Sequence, residues 1–88
     1  MNLHDKYLAK VEEVICSVEH VLNNSEMAEV KRLADHGEPA ESLSLIAALL
    51  VQENKKVPAQ VVFKIRELTA GLLQPDELPS DLDLQIEH

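Results

Sequence analysis

The sequence predicts an all-α fold: a single small four-helix domain with a central apolar third helix and an extended acidic C-terminal tail. Three observations carry that prediction. Apolar residues from Leu3 to Leu22 recur at spacings of 3, 4 and 7, the period of a helix with one buried face. His36-Gly37-Glu38-Pro39 presses a helix stop against a helix start, since glycine takes the left-handed conformation that ends helices and proline suits a first turn. After Glu41, the eleven residues from Ser42 to Gln52 carry no charge in a chain that is 27% charged, so this run belongs inside.

The first helix is expected over about 3–23, with Leu3, Tyr7, Leu8, Val11, Val14, Ile15, Val18, Val21 and Leu22 facing inward and Lys6, Lys10, Glu12, Glu13 and His20 facing water. Cys16 falls off the apolar arc and has no neighbour that would activate a thiol. Asn23-Asn24-Ser25 breaks the pattern. Asn24 or Ser25 can cap a second helix over about 26–35, whose inner stripe is Met27, Val30, Leu33 and Ala34. The third helix is expected over about 39–54. It carries Leu43, Ile46, Ala47 and Leu50 on one face and Leu45, Ala48, Leu49 and Val51 round the others.

Val57-Pro58 opens a fourth helix, about 58–73, with Val61, Val62, Ile65, Leu68 and Leu72 inward. Phe63 points the other way among Lys64, Arg66 and Glu67, and so calls for a cover or a partner. From Pro75 the period changes to two: Leu82, Leu84 and Ile86 alternate with Asp83 and Gln85, which suits an extended segment. Residues 1–74 therefore form the bundle, and 75–88 form a tail either strapped over it, with Phe63 as one surface to cover, or offered to another protein.

A domain of 88 residues buries only about 60% of the surface its unfolded chain exposes. With Tyr7 and Phe63 its only aromatic residues, its core must be aliphatic. Net charge is -8, and five carboxylates of the last fourteen residues (Asp76, Glu77, Asp81, Asp83 and Glu87) leave -3 for the remainder. Such a chain repels phosphate backbones, and its basic doublets, Lys31-Arg32 and Lys55-Lys56, have no aromatic neighbours to stack bases. Direct nucleic-acid binding is therefore excluded as an expectation, and a basic protein is the natural partner.

A single cysteine allows no internal disulfide, the N-terminal residues lack the apolar run of a signal peptide, and no segment reaches the roughly 20 apolar residues of a membrane span. A cytoplasmic protein without membrane contact is expected. His4, His20, His36 and His88 show no metal-ligand spacing. Asp35, His36, Glu38 and Ser42 are explained by capping and turn chemistry, so no catalytic, cofactor or metal residue is expected.

Two resemblances bear on function. Glu41-Ser42-Leu43 resembles the Asp-Ser-Leu of acyl carrier proteins, which implies a phosphopantetheine arm on Ser42, although the uncharged helix after it lacks the acidic face that carrier partners read. Over residues 27–73, His36-Gly37-Glu38-Pro39, Leu43, Leu50, the polar turn to Val57-Pro58 and the Ile65 to Leu68 stripe resemble the small helical immunity proteins of bacterial contact-dependent inhibition and Maf-type toxin systems.

The second resemblance implies a non-enzymatic inhibitor of one cognate toxin domain, and the acidity suits a basic, nucleic-acid-directed toxin whose active site is occluded. The candidate contact residues are Glu38, Glu41, Asp76, Glu77, Asp81 and Asp83 for charge, with Phe63 and Leu82 as apolar anchors. A general helical adaptor is the alternative, and the oligomeric state is left open.

Overall fold

In the computed structural model, which describes residues 2–87, the helices are α1 (Leu3–Ser17), α2 (Asn24–Asp35), α3 (Pro39–Gln52) and α4 (Ala59–Thr69). Two 3₁₀ turns follow, Pro75–Glu77 and Leu82–Gln85. The all-α expectation holds, with no strand among the described residues beyond one parallel bridge, Val57 to Ile86. His88, the last residue of the expected tail, lies outside the described residues.

Each helix boundary has a local cause. The Asn2 side chain caps α1, accepting from Asp5 N at 2.8 Å. The helix ends at Ser17, five or six residues before the apolar period does. Ser17 Oγ donates to Val14 O at 2.6 Å, the carbonyl that Val18 N would take in a continuing helix, and Val18 N turns to Ile15 O instead. Val18 and Leu22 are still buried, so the periodicity beyond Ser17 reports burial and not helix.

Asn23, one residue earlier than expected, caps α2. Its side chain accepts from Glu26 N at 2.8 Å while Glu26 Oε1 accepts from Asn23 N at 2.9 Å, a reciprocal capping box. Gly37, at φ +80°, reverses the chain after α2, and Pro39 starts α3.

The end of α3 builds the platform on which the tail rests. Asn54 adopts φ +51°, Asn54 N donates to Val51 O (3.2 Å) and Lys55 N donates to Leu50 O (2.9 Å), the paired bonds of a left-handed helix stop. Helix α4 runs only to Thr69, whose hydroxyl donates to Ile65 O at 2.7 Å, and Gly71 at φ +79° turns the chain away. Leu72, expected in the inner stripe, is instead 61% exposed.

The core is aliphatic. Val11, Val14, Ile15 and Val18 from α1 and the turn after it meet Met27 and Val30 of α2, Leu43, Ile46, Ala47 and Leu50 of α3, and Val61, Val62, Ile65 and Leu68 of α4. Helix α3 touches the other three helices and the second 3₁₀ turn. Tyr7 spans the α1–α4 seam: its hydroxyl donates to Leu68 O at 2.8 Å, and burial pushes its pKa up. The radius of gyration, 12.0 Å, matches the about 12 Å expected of one compact domain of this length.

The tail departs from the period-two expectation. It coils into 3₁₀ turns that place Leu82, Gln85 and Ile86 toward the bundle and leave Leu84 67% exposed. Leu82 is fully buried and joins the core. The network around the buried Gln85 carboxamide aims its nitrogen at the end of α3, where it donates to Leu50 O (3.3 Å) and Lys55 O (2.8 Å). Val57 N donates to Gln85 O (2.9 Å), and Glu87 N donates to Val57 O (2.7 Å). The tail is thus fastened across the α3–α4 connection and leaves Phe63 60% exposed.

Candidate functional site

The contact residues expected from sequence divide into three groups. Glu38 is the residue before α3 and makes no capping bond with its side chain, while Glu41 lies in the first turn, where the positive end of the helix favours a carboxylate. Ser44, one turn further, donates from Oγ to Glu77 O at 3.0 Å. That bond brings the first 3₁₀ turn, with Asp76 and Glu77, against the N-terminal half of α3, since one turn advances only about 5.4 Å.

Asp76 and Glu77 are thereby brought, across about 35–39 positions of sequence, toward the start of α3 that carries Glu38 and Glu41. Glu38, Glu41, Asp76 and Glu77 are all exposed, and none forms an ion pair among the described residues. The Glu77 carboxylate is held in place by Gln74 N, which donates to it at 2.6 Å.

The second group is occupied internally. Asp83 pairs with Arg66 at 3.0 Å and so ties the tail to α4. Leu82, expected as an apolar anchor for a partner, belongs to the core and offers no surface. Asp81 is exposed at the start of the second 3₁₀ turn.

The third group is Phe63, standing out from α4 beside Lys64, which pairs with Glu13 at 3.3 Å, and three residues from Arg66 with its Asp83 partner. Phe63 and Leu84 are sequence neighbours of residues in neutralised charge pairs, Lys64 with Glu13 and Asp83 with Arg66. A shallow depression of about 250 Å³ between α1 and α4 is lined by Lys10, Glu13, Lys64, Glu67 and Leu68, two cations against two anions.

The Glu26 and Glu53 carboxyls act on each other where the start of α2 meets the end of α3: Glu53 as a neighbouring donor holds the Glu26 carboxyl below its usual range, and Glu26 pushes that of Glu53 above. The Ser42 hydroxyl is buried and donates to Pro39 O at 2.6 Å, which puts it out of reach of a modifying enzyme in this conformation. Cys16 is a free, exposed thiol. No three His, Cys, Asp or Glu side chains converge as a metal would require, and no helix is long and apolar enough to cross a membrane, among the described residues.

The charges of Glu38, Glu41, Asp76 and Glu77 are plain in the sequence, but nothing in it joins them. The joining residue is Ser44, which reads only as one more uncharged position in the apolar run. Lys56, whose ammonium reaches Leu84 O at 2.6 Å, and Gln85 were likewise silent, because the groups they bind are close in space and remote in sequence. No protein family, no characterised protein and no solved structure shows a significant match to the chain.

Proposed function

We propose that the protein works by binding another protein, as an immunity-type inhibitor that neutralises a basic bacterial toxin domain by covering its active site in the cytoplasm. The observation that supports this reading is that the Ser44–Glu77 bond brings Asp76 and Glu77 toward the start of α3 with Glu38 and Glu41, and that none of the four forms an ion pair among the described residues. Carboxylates spaced along a helix edge can mimic phosphates in a cleft built for nucleic acid, and a net charge of -8 steers the approach. An interface of about 800 Å² per partner fits on a domain this size. Phe63, exposed on α4, is the aromatic side chain available as an apolar anchor.

The test compares two baits in the native lysate at low salt: the parent chain and a variant with Glu38→Gln, Glu41→Gln, Asp76→Asn and Glu77→Gln. The parent should retain a basic protein that moderate salt elutes, and the variant should not. Equal retention by both baits would mean that these four carboxylates are not the contact.

A further inference from the structure

Residues 78–87 lie on the bundle as a peptide lies in a binding groove. Leu82 fills an apolar seat against α3 and α4, with Leu78 and Ile86 half-buried beside it. The segment's main chain is paired at both Gln85 O and Glu87 N with Val57, and the Gln85 carboxamide reads the Leu50 and Lys55 carbonyls. Two cations sit over its acidic length: Lys56 donates to Leu84 O and Arg66 pairs with Asp83. Apolar seat, main-chain pairing and opposite charge together define what the groove accepts, namely an acidic apolar segment of this sequence.

We propose that a second copy of the chain can supply this segment, giving a strap-exchanged dimer. The covalent path between groove and strap runs through residues 70–77, after α4 has ended, and includes the first 3₁₀ turn, whose Glu77 O accepts from Ser44 and must let go with the strap. This connection turns at Gly71 (φ +79°) and carries Leu72 61% exposed, an apolar residue with nothing over it in the single chain. Every contact that the strap breaks in its own copy is remade in the other, so exchange is limited by the tether's effective concentration and by chain opening. For a short connection that concentration is on the order of millimolar, so about a thousandth of the chains exchange at 1 µM and a large share at 1 mM. Two copies at -8 each repel, so added salt favours the dimer, the opposite of its effect on a basic partner.

Two single-thiol variants test this, each with Cys16→Ser: one with Lys56→Cys, the other with Leu84→Cys, both at exposed positions joined across the strap by the Lys56 bond. The two proteins are mixed at 1 mM, warmed briefly, cooled, diluted and treated with a short bismaleimide. Neither chain can bridge the pair within itself, so a 56-to-84 linked heterodimer reports a strap seated on a neighbour. Its yield should rise by two orders of magnitude or more from 1 µM to 1 mM and rise again with salt. A double variant, Lys56→Cys with Leu84→Cys, should close internally at 1 µM. Absence of the heterodimer while the double variant closes internally overturns the exchange, and failure of the double variant to close overturns the groove itself.

Discussion

Replacing Leu82 with alanine distinguishes a tail that belongs to the core from one that merely trails beside it. Leu82 is fully buried against α3 and α4, and buried leucine-to-alanine changes cost about 2–5 kcal/mol, the range set by how far the site collapses. The strap lies at the surface and can settle inward, which points to the lower part, about 2–3 kcal/mol. A domain of 88 residues has about 4–13 kcal/mol to lose, so the change removes a large fraction of it. The melting temperature should fall by about 8–24 °C, at about 4–8 °C per kcal/mol for a domain this size.

The chain has no tryptophan, so urea unfolding is followed by far-ultraviolet circular dichroism, with Leu84→Ala as the control. Leu84 is 67% exposed, and its loss should cost no more than about 0.5 kcal/mol. A lower denaturant dependence in Leu82→Ala would add that the strap has already left the native bundle. Equal effects of the two substitutions would refute the placement of Leu82 in the core.

Gly37→Ala should cost about 1–2 kcal/mol by chemical denaturation; at φ +80° an added Cβ meets no atom within 4 Å, so the loss is conformational, and a neutral outcome would contradict the left-handed turn. Asn23→Ala should lose about 1 kcal/mol by removing one half of the α2 capping box, measured the same way. For the Glu26–Glu53 pair the sign follows from the directions of the shifts. Glu53, with its pKa raised, holds its proton more tightly folded than unfolded, so its contribution to stability is lost as pH rises through the range above the ordinary glutamate value. Glu26, with its pKa lowered, contributes above that value and loses its contribution as pH falls below it. Glu53→Gln keeps a donor for Glu26 without the second charge, so it should be more stable than the parent at pH 7 and indistinguishable from it in acid. The same difference at both pH values would show that the two carboxyls do not act on each other.

The helices were legible because burial and helical period coincide over α2, α3 and most of α4. They part company after Ser17, where Val18 and Leu22 remain buried in a turn, so a period of 3 and 4 extends a helix that a side-chain bond has ended. The tail misled for a related reason. Alternation of Leu82, Leu84 and Ile86 fits a strand, but a 3₁₀ turn superposes positions three apart, so Gln85 goes in with Leu82 and Leu84 goes out. A buried glutamine cannot be foreseen from its own neighbourhood, since the carbonyls that satisfy it stand at the end of α3. The candidate contact residues were legible one by one in their charges, while the approach of Asp76 and Glu77 to α3 depends on Ser44, whose hydroxyl is informative only once Glu77 is seen beside it.

The proposed role of Glu38, Glu41, Asp76 and Glu77 is to steer a basic protein onto the face where α3 begins. Stopped-flow association with the captured partner, across a series of ionic strengths, measures that directly. For the parent chain the rate should fall steeply as salt rises, and for the variant neutralised at Glu38, Glu41, Asp76 and Glu77 it should start at least about tenfold lower and change little. Identical rates and identical salt dependence for the two proteins would contradict that role.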